Sequence, residues 1–400
     1  MISNRPQPLQ MDNDFARQTM SRRVPGIIRE VQSANPDFSP GILRALDRLY
    51  DMLTQDQPIP MLDAHPVAPP DYADWETAYL AQRARITPLT WQHCEWFFAE
   101  TFLYRHLIQA VRWHETGRDP YVFKKQTEFE SEHFWRLIDA ALDVEGSFME
   151  RLGVLFSLVL WGNRVDLSHP AGLLASETAS EDELLVDDRD RLLDYLSRGG
   201  GGLALKGRVV HIIADNAGTE LAMDLALADA LLSAEDISVV FQVKALPTFV
   251  SDATIGDVWA TVRALDARGG KPAGLAGRLR RAWEEERLRL AAPLFWNSSR
   301  FLWDMPLDLR RAFEGAYLVV LKGDANYRRA IGDAIWPDGV TFAEAMGYFP
   351  APIVALRSLK SDTLVGVPAA LTAPLDAAGD EWRTTGRYGV IQFALPASMP

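Results

Sequence analysis

HIIADNAGTELAMDL, residues 211–225, carries the decision about the fold. A β-branched apolar run stops at adjacent Asp215 and Asn216. Gly218 follows, and Leu221, Leu225, Ala228 and Leu232 then recur at helical spacing. This order predicts a strand, a tight turn permitted by Gly218, and a helix with Glu220 in its first turn. An acid and an amide at a strand tip can hold a metal, cap the helix or make a turn, so the surrounding chain has to decide among them.

Working outward, the same grammar repeats downstream. ISVVFQVK (237–244), LRLAAPLFW (288–296), AYLVVLKGD (316–324), PIVALRS (352–358) and YGVIQFAL (388–395) are short apolar runs, several of them followed by helical patterns. The alternation predicts an α/β fold with a largely parallel sheet and helices on its faces. Upstream the period differs. From about Asp14 to Leu196 apolar residues recur at three- and four-residue steps, as in LTWQHCEWFFAETFLYRHLIQAVRW (89–113), GILRALDRLYDMLT (41–54) behind the start signal Ser39-Pro40, and EHFWRLIDAALD (132–143). A mainly helical N-terminal domain over 1–198 is therefore expected ahead of an α/β domain over 203–400. Gly199 to Gly202 precede a strand instead of joining strand to helix, which suits a flexible boundary and not a phosphate loop. The acidic run SETASEDELLVDDRD (176–190) reads as a solvated connection.

Four hundred residues can bury a large core unaided. The single cysteine, Cys94, cannot form an internal disulfide, and MISNRPQPLQ lacks the basic and apolar regions of a secretory signal, so a cytoplasmic location is expected. No apolar run reaches the roughly 18 residues of a spanning helix, which argues against membrane insertion. A formal charge of −13 argues against broad nucleic-acid binding, and any anionic ligand needs a few aimed cations.

In open α/β sheets ligands lie beyond the carboxyl ends of the strands. Four tips are polar here: Asp215 and Asn216; Asp252 with Asp257 behind it; Lys322, Gly323, Asp324, Asn326 and Arg328; and Arg357, Lys360 and Asp362. The first two offer oxygens suited to a divalent cation, the last two add cations suited to phosphate. Metal-assisted hydrolysis of a phosphate ester joins these halves, with metal-activated water as the preferred nucleophile. An aspartyl phospho-enzyme at Asp215, Asp252 or Asp324 is equally compatible with the spacing. Taken singly, Asp215 and Asp252 read as helix caps.

At these residues the chain resembles the metal-dependent damage-control phosphatases, in the branch once described as acidic-residue methyltransferases. The matching blocks are FARQTMSRRVPGII, WFFAETFLYRHL, LWGNRVDLS, IADNAGTELAMDL, FVSDATIGD, LKGDANYRRAIGD and LRSLKSD, in the family's order along nearly the whole chain. The resemblance implies an α/β/α sandwich behind a helical region, and a divalent metal held by Asp215, Asn216 and Asp252: manganese first, then cobalt, nickel or magnesium. It implies substrate contact by Glu220, Asp324, Asn326, Tyr327, Arg328 and Lys360, and by Asn163 of the LWGNRVDLS block. The implied substrates are sugar phosphates such as fructose 1-phosphate and fructose 6-phosphate, or damaged phosphometabolites. One departure stands out: the family's Arg-Thr-x-Lys is Arg357-Ser358-Leu359-Lys360 here, which keeps the hydroxyl and can shift selectivity.

Two other functions compete. A protein carboxyl methyltransferase using S-adenosylmethionine needs a glycine-rich turn where this chain has DNAG. A sugar-phosphate sensor without turnover needs the same pocket. Glu100 and Arg105 are expected to form internal ion pairs, and His93, His106 and Cys94 to be packing or surface residues.

Overall fold

A computed structural model describes residues 5–64, 69–162, 183–199, 207–379 and 381–397. The six apolar runs are strands, as their pattern predicts, and a seventh precedes them: β1 (Leu184–Asp187), β2 (Arg208–Ile213), β3 (Ile237–Gln242), β4 (Leu288–Ala291), β5 (Leu318–Lys322), β6 (Ile353–Ser358) and β7 (Gly389–Ala394). They form one sheet in the order β1-β7-β6-β5-β2-β3-β4. β4, β3, β2, β5 and β6 are mutually parallel, while β7 runs antiparallel to β6 and pairs in parallel with β1. β1 lies inside the acidic run expected to be a solvated connection. Its three apolar residues sit between charges at the sheet edge, too short a signal to stand out, yet Leu185 is buried.

The strands are apolar nearly throughout because helices cover both faces. Val210, Ile212, Leu318, Val320, Val354 and Leu356 point to one face, with helices Glu132–Leu142, Phe148–Trp161, Thr219–Leu232 and Gly270–Glu284. Ile213, Val319, Leu321, Ile353 and Ala355 point to the other, against Phe295, Trp296, Phe313 and Phe349. The two-residue alternation of the strands thus builds three layers. A third core gathers the N-terminal helices, including Pro40–Thr54 and Trp96–Ala110, and takes in Val250 from the loop after β3. Helices Glu132–Leu142 and Phe148–Trp161 come from the first half of the chain but lie on the sheet.

Helix Pro40–Thr54 starts where Ser39 and Pro40 predict, with the Ser39 hydroxyl accepting from Ile42 N–H. Helix Trp96–Ala110 is buried on all sides from Trp96 to Ile108, and so encloses Glu100, Arg105 and His106. Each ion there needs a partner. Arg105 forks onto Asp71 at 2.5 and 3.0 Å, and Glu100 accepts from Arg328 at 2.7 Å. The ion pairs are internal, as expected; that of Arg105 stays within the helical region, while that of Glu100 reaches a residue 228 positions along the chain. His106 packs edge-on against Phe102 and Trp91.

Candidate active site

β2 continues to β3 on one side, yet its other neighbour is β5. The chain direction across the sheet reverses between β2 and β5, and such a switch opens a crevice at the carboxyl ends. The tips of β3, β2, β5 and β6 lie side by side there.

Asp215 and Asp252 meet because β2 and β3 are neighbours and the two loops pair further. Asn216 and Asp252 form an isolated antiparallel bridge, Ala253 N–H donates to Asp215 O at 2.8 Å, and Ala217 N–H donates to Ser251 O at 2.6 Å. Neither acid is a helix cap. Thr254 caps Ile255–Arg268 through a capping box with Asp257, and Thr219 N–H at the start of Thr219–Leu232 donates to Glu128 at 2.7 Å. Both acids are buried, Asp215 to 6% and Asp252 to 1% exposure. Among the described residues, Asp215 Oδ1 and Asp252 Oδ2 accept no hydrogen bond. Lys244 Nζ lies 3.2 Å from Asp252 Oδ2, at an angle that makes it an ion pair only.

Leaving buried carboxylate oxygens unpaired is costly. Burial, then the Asp252 and Glu220 charges, push the Asp215 carboxyl well above its ordinary range, and burial raises Asp252 despite Lys244. Two acid oxygens that accept no hydrogen bond, Asp215 Oδ1 and the Lys244-paired Asp252 Oδ2, beside an amide oxygen are a donor set a hard divalent cation satisfies. Among the described residues no three His, Cys, Asp or Glu side chains cluster as ligands, so the set depends on Asn216. The Asn216 amide is fixed in orientation: Nδ2 donates to Glu220 at 2.8 Å and Asp215 at 3.1 Å, while Oδ1 accepts from Ser251 Oγ at 2.6 Å.

Glu220 links inward as well. It accepts from Lys322 Nζ at 2.8 Å, and Lys322 also reaches Val159 O at 3.1 Å and lies 3.2 Å from Asp224. Lys322 and Lys360 hold the Glu220 carboxyl below its usual range against the opposing effect of burial. Burial pushes Asp224 up to about 7.

The DANYR segment divides its labour. Asp324 Oδ1 accepts from Arg357 Nε at 2.8 Å and from Lys360 N–H and Ser361 Oγ, both at 3.1 Å. It thereby organises the loop after β6, and Arg357 with Arg328 keeps it ionised despite its burial. Asn326 Nδ2 donates to Ala214 O and Lys322 O at 3.0 and 2.9 Å, tying the tips of β2 and β5 together. Tyr327 is fully buried, with its hydroxyl on Gln392 at 2.8 Å and the Arg357 guanidinium 4.3 Å over its ring. Arg328 is enclosed by Glu100 and Asp333, each at 2.7 Å. Arg357 has donors on Thr363 and Ser361 too. The structure therefore brings Asp215, Asn216, Asp252, Glu220 and Asn326 into one network through Lys322 and Lys244, while Asp324 is bound to the loop after β6 and Tyr327 and Arg328 are committed to packing and ion pairs. Lys360 is exposed, has no carboxylate partner among the described residues, and is close enough to lower both Asp215 and Glu220. Asn163 lies outside the described residues.

Sequence pattern alone passes over Lys244, Ser251, Asp224, Lys125 and Glu128. Lys244 ends the ISVVFQVK run, so a cation at a strand tip was there to be read. The others carry no local signal.

A family description, Damage-control phosphatase ARMT1-like domain, matches residues 19–374. "Damage-control phosphatase ARMT1" of Danio rerio is 29% identical over 94% of this chain and 91% of its own. The protein of the same name from Mus musculus is 30% identical over 88% and 86%. A solved DUF89 family protein from Pyrococcus horikoshii aligns at 13% identity and a TM-score of 0.47, over 93% of this chain and 97% of that one.

Proposed function

The chain belongs to the ARMT1-like damage-control phosphatases, and from that premise we propose a divalent-metal-dependent phosphatase of sugar phosphates of the fructose 1-phosphate or fructose 6-phosphate type, or of related damaged phosphometabolites. The observation that carries this reading is the pair of buried oxygens that accept no hydrogen bond, Asp215 Oδ1 and Asp252 Oδ2, the second held only by the Lys244 ion pair, together with Lys360, which has no carboxylate partner among the described residues.

Asp215, Asn216 and Asp252 would hold the cation, manganese by preference, with cobalt, nickel or magnesium as substitutes. When bound, such an ion polarises a phosphoryl oxygen and makes a water nucleophilic near neutral pH. Lys360 neutralises charge on the phosphoryl group, and Asp324 sets the loop that carries it. Glu220 fixes the Asn216 amide. Asn326 keeps the two strand tips in register, and Tyr327 and Arg328 support the wall behind them. Asp324 makes a poor nucleophile, since one of its oxygens already accepts three hydrogen bonds. Water is thus the preferred attacking group, with an aspartyl intermediate at Asp215 or Asp252 as the competing route.

Nothing among the described residues favours methyl transfer: the turn after β2 presents acid side chains where a nucleotide cofactor needs bare backbone. A cytoplasmic setting completes the proposal. Among the described residues no helix is long and apolar enough to cross a membrane. The test is a phosphate-release screen over sugar phosphates and divalent ions. Steady turnover that disappears in Asp252→Ala supports hydrolysis. Binding of fructose 1-phosphate without turnover under every metal would assign a sensor instead.

A further inference from the structure

Lys125 and Glu128 belong to neither strand tip, yet each grips one of the two loops that carry the candidate metal donors. Lys125, in helix Val122–Thr127, is 4% exposed. Its ammonium donates to the backbone carbonyl of Asp252 at 2.9 Å, to Asp257 at 2.8 Å and to Asp119 at 2.9 Å. Burying a lysine requires full pairing, and this one has three acceptors for three protons. Glu128, three residues on, receives both Thr219 N–H and Thr219 Oγ1, at 2.7 and 2.8 Å. Its carboxylate presses so near Gly218, which has φ +70°, that a Cβ there would overlap it. One short segment of the helical region thus holds the 252 loop by a cation and the 215–219 loop by an anion.

The held loop is also strained. Phe249 and Val250 have φ of 47° and 70°, a left-handed conformation that costs a β-branched residue dearly. Such a conformation persists only where the surroundings over-determine it. Here Val250 is buried in the N-terminal helical core and Phe249 packs 4.8 Å from the Tyr104 ring. Ser251 and Asp252 come next in the chain. The wedge on one side and Lys125 on the other leave the loop a single way to present Ser251 Oγ to Asn216 and Asp252 to Asp215.

We propose that Lys125 and Glu128 are positioning residues for the metal site: the helical region sets the separation of the Asp215 and Asp252 loops and so the cation affinity. This rests on the metal reading of Asp215, Asn216 and Asp252. Neither residue touches the ion or the ester. They act through the backbone of Asp252 and the turn at Gly218.

The test is Mn²⁺ binding to the metal-stripped full-length chain, read by the spectroscopic signal of free Mn²⁺, with thermal melts in chelator run in parallel. Lys125→Met is expected to weaken Mn²⁺ binding about 10- to 100-fold, as loss of a supporting contact behind a metal ligand does. Glu128→Ala, a milder change at a half-buried site, is expected to weaken it in the same direction and to remain folded. If Lys125→Met fails to melt cooperatively, Glu128→Ala alone decides between the two outcomes. Folded variants that melt lower yet bind Mn²⁺ as tightly as wild type would overturn the positioning role and leave the metal site standing. Wild-type protein that binds no Mn²⁺ would overturn the metal reading itself, and this inference with it.

Discussion

Gly323 occupies a backbone position from which any side chain would strike the Asp215 carboxylate. Its φ of +78° is in the left-handed region, and a Cβ built there overlaps Asp215 Oδ2 and Cγ. The tip of β5 can pack against the tip of β2 only without a side chain. Gly323→Ala should cost about 1 kcal/mol in stability for the conformation, and move Asp215 enough to lower kcat about 100-fold or more. A thermal melt and steady-state kinetics on one preparation separate the two effects.

Asp215→Asn should trade function for stability. The acid is buried, repelled by Asp252 and Glu220, and lacks a partner at Oδ1 among the described residues, so neutralising it relieves the metal-free fold. The variant should lose phosphate release, and in chelator it should be more stable than wild type by on the order of 1 kcal/mol. A lower melting temperature in chelator would count against the crowded-carboxylate account.

Two cations of the loop after β6 should respond oppositely to removal. Lys360→Met should leave the melt unchanged and reduce kcat/KM about 100-fold, as loss of one charge-stabilising donor does. Arg357→Met should instead destabilise by about 3 to 5 kcal/mol, because Arg357 is fully buried and Asp324 would lose its charge partner. Equal losses of stability in both would remove the distinction between phosphate contact and scaffold.

Acid should destabilise the fold through two enclosed histidines. Burial pushes His106 down to about 3 and His211 down to about 4, from an ordinary 6.5. Between these values and 6.5 the unfolded chain binds protons that the folded chain refuses, so stability is full above 6.5 and declines as pH falls. Each histidine contributes a slope of up to about 1.4 kcal/mol per pH unit. Urea midpoints measured from neutral pH down to about 5 should fall less steeply in His106→Leu than in wild type. Parallel slopes would place the titration elsewhere.

The six principal strands were legible because buried parallel strands write themselves as apolar runs, and the acids at 215 and 252 were legible because each run ends near them. β1 was not, since three apolar residues among charges look like any acidic linker. The role of a cation was less legible than its position. Arg328 reads like a phosphate ligand until Glu100, 228 residues away, is seen to claim it. Lys125 and Glu128 left no trace in local pattern, because what makes them matter is the tertiary approach of a helical segment to two distant turns.

The adjacency of β2 and β5 has a temporal consequence. A chain still emerging from the ribosome, complete only through β4, would already carry Asp215, Asn216 and Asp252, the proposed metal donors. It would lack Gly323 and Asn326, which seat the β2 tip, and Lys360, the proposed phosphate contact. Long-range parallel pairing of this kind forms slowly, and the proposed site is complete only once β5 and β6 have joined β2 in the sheet.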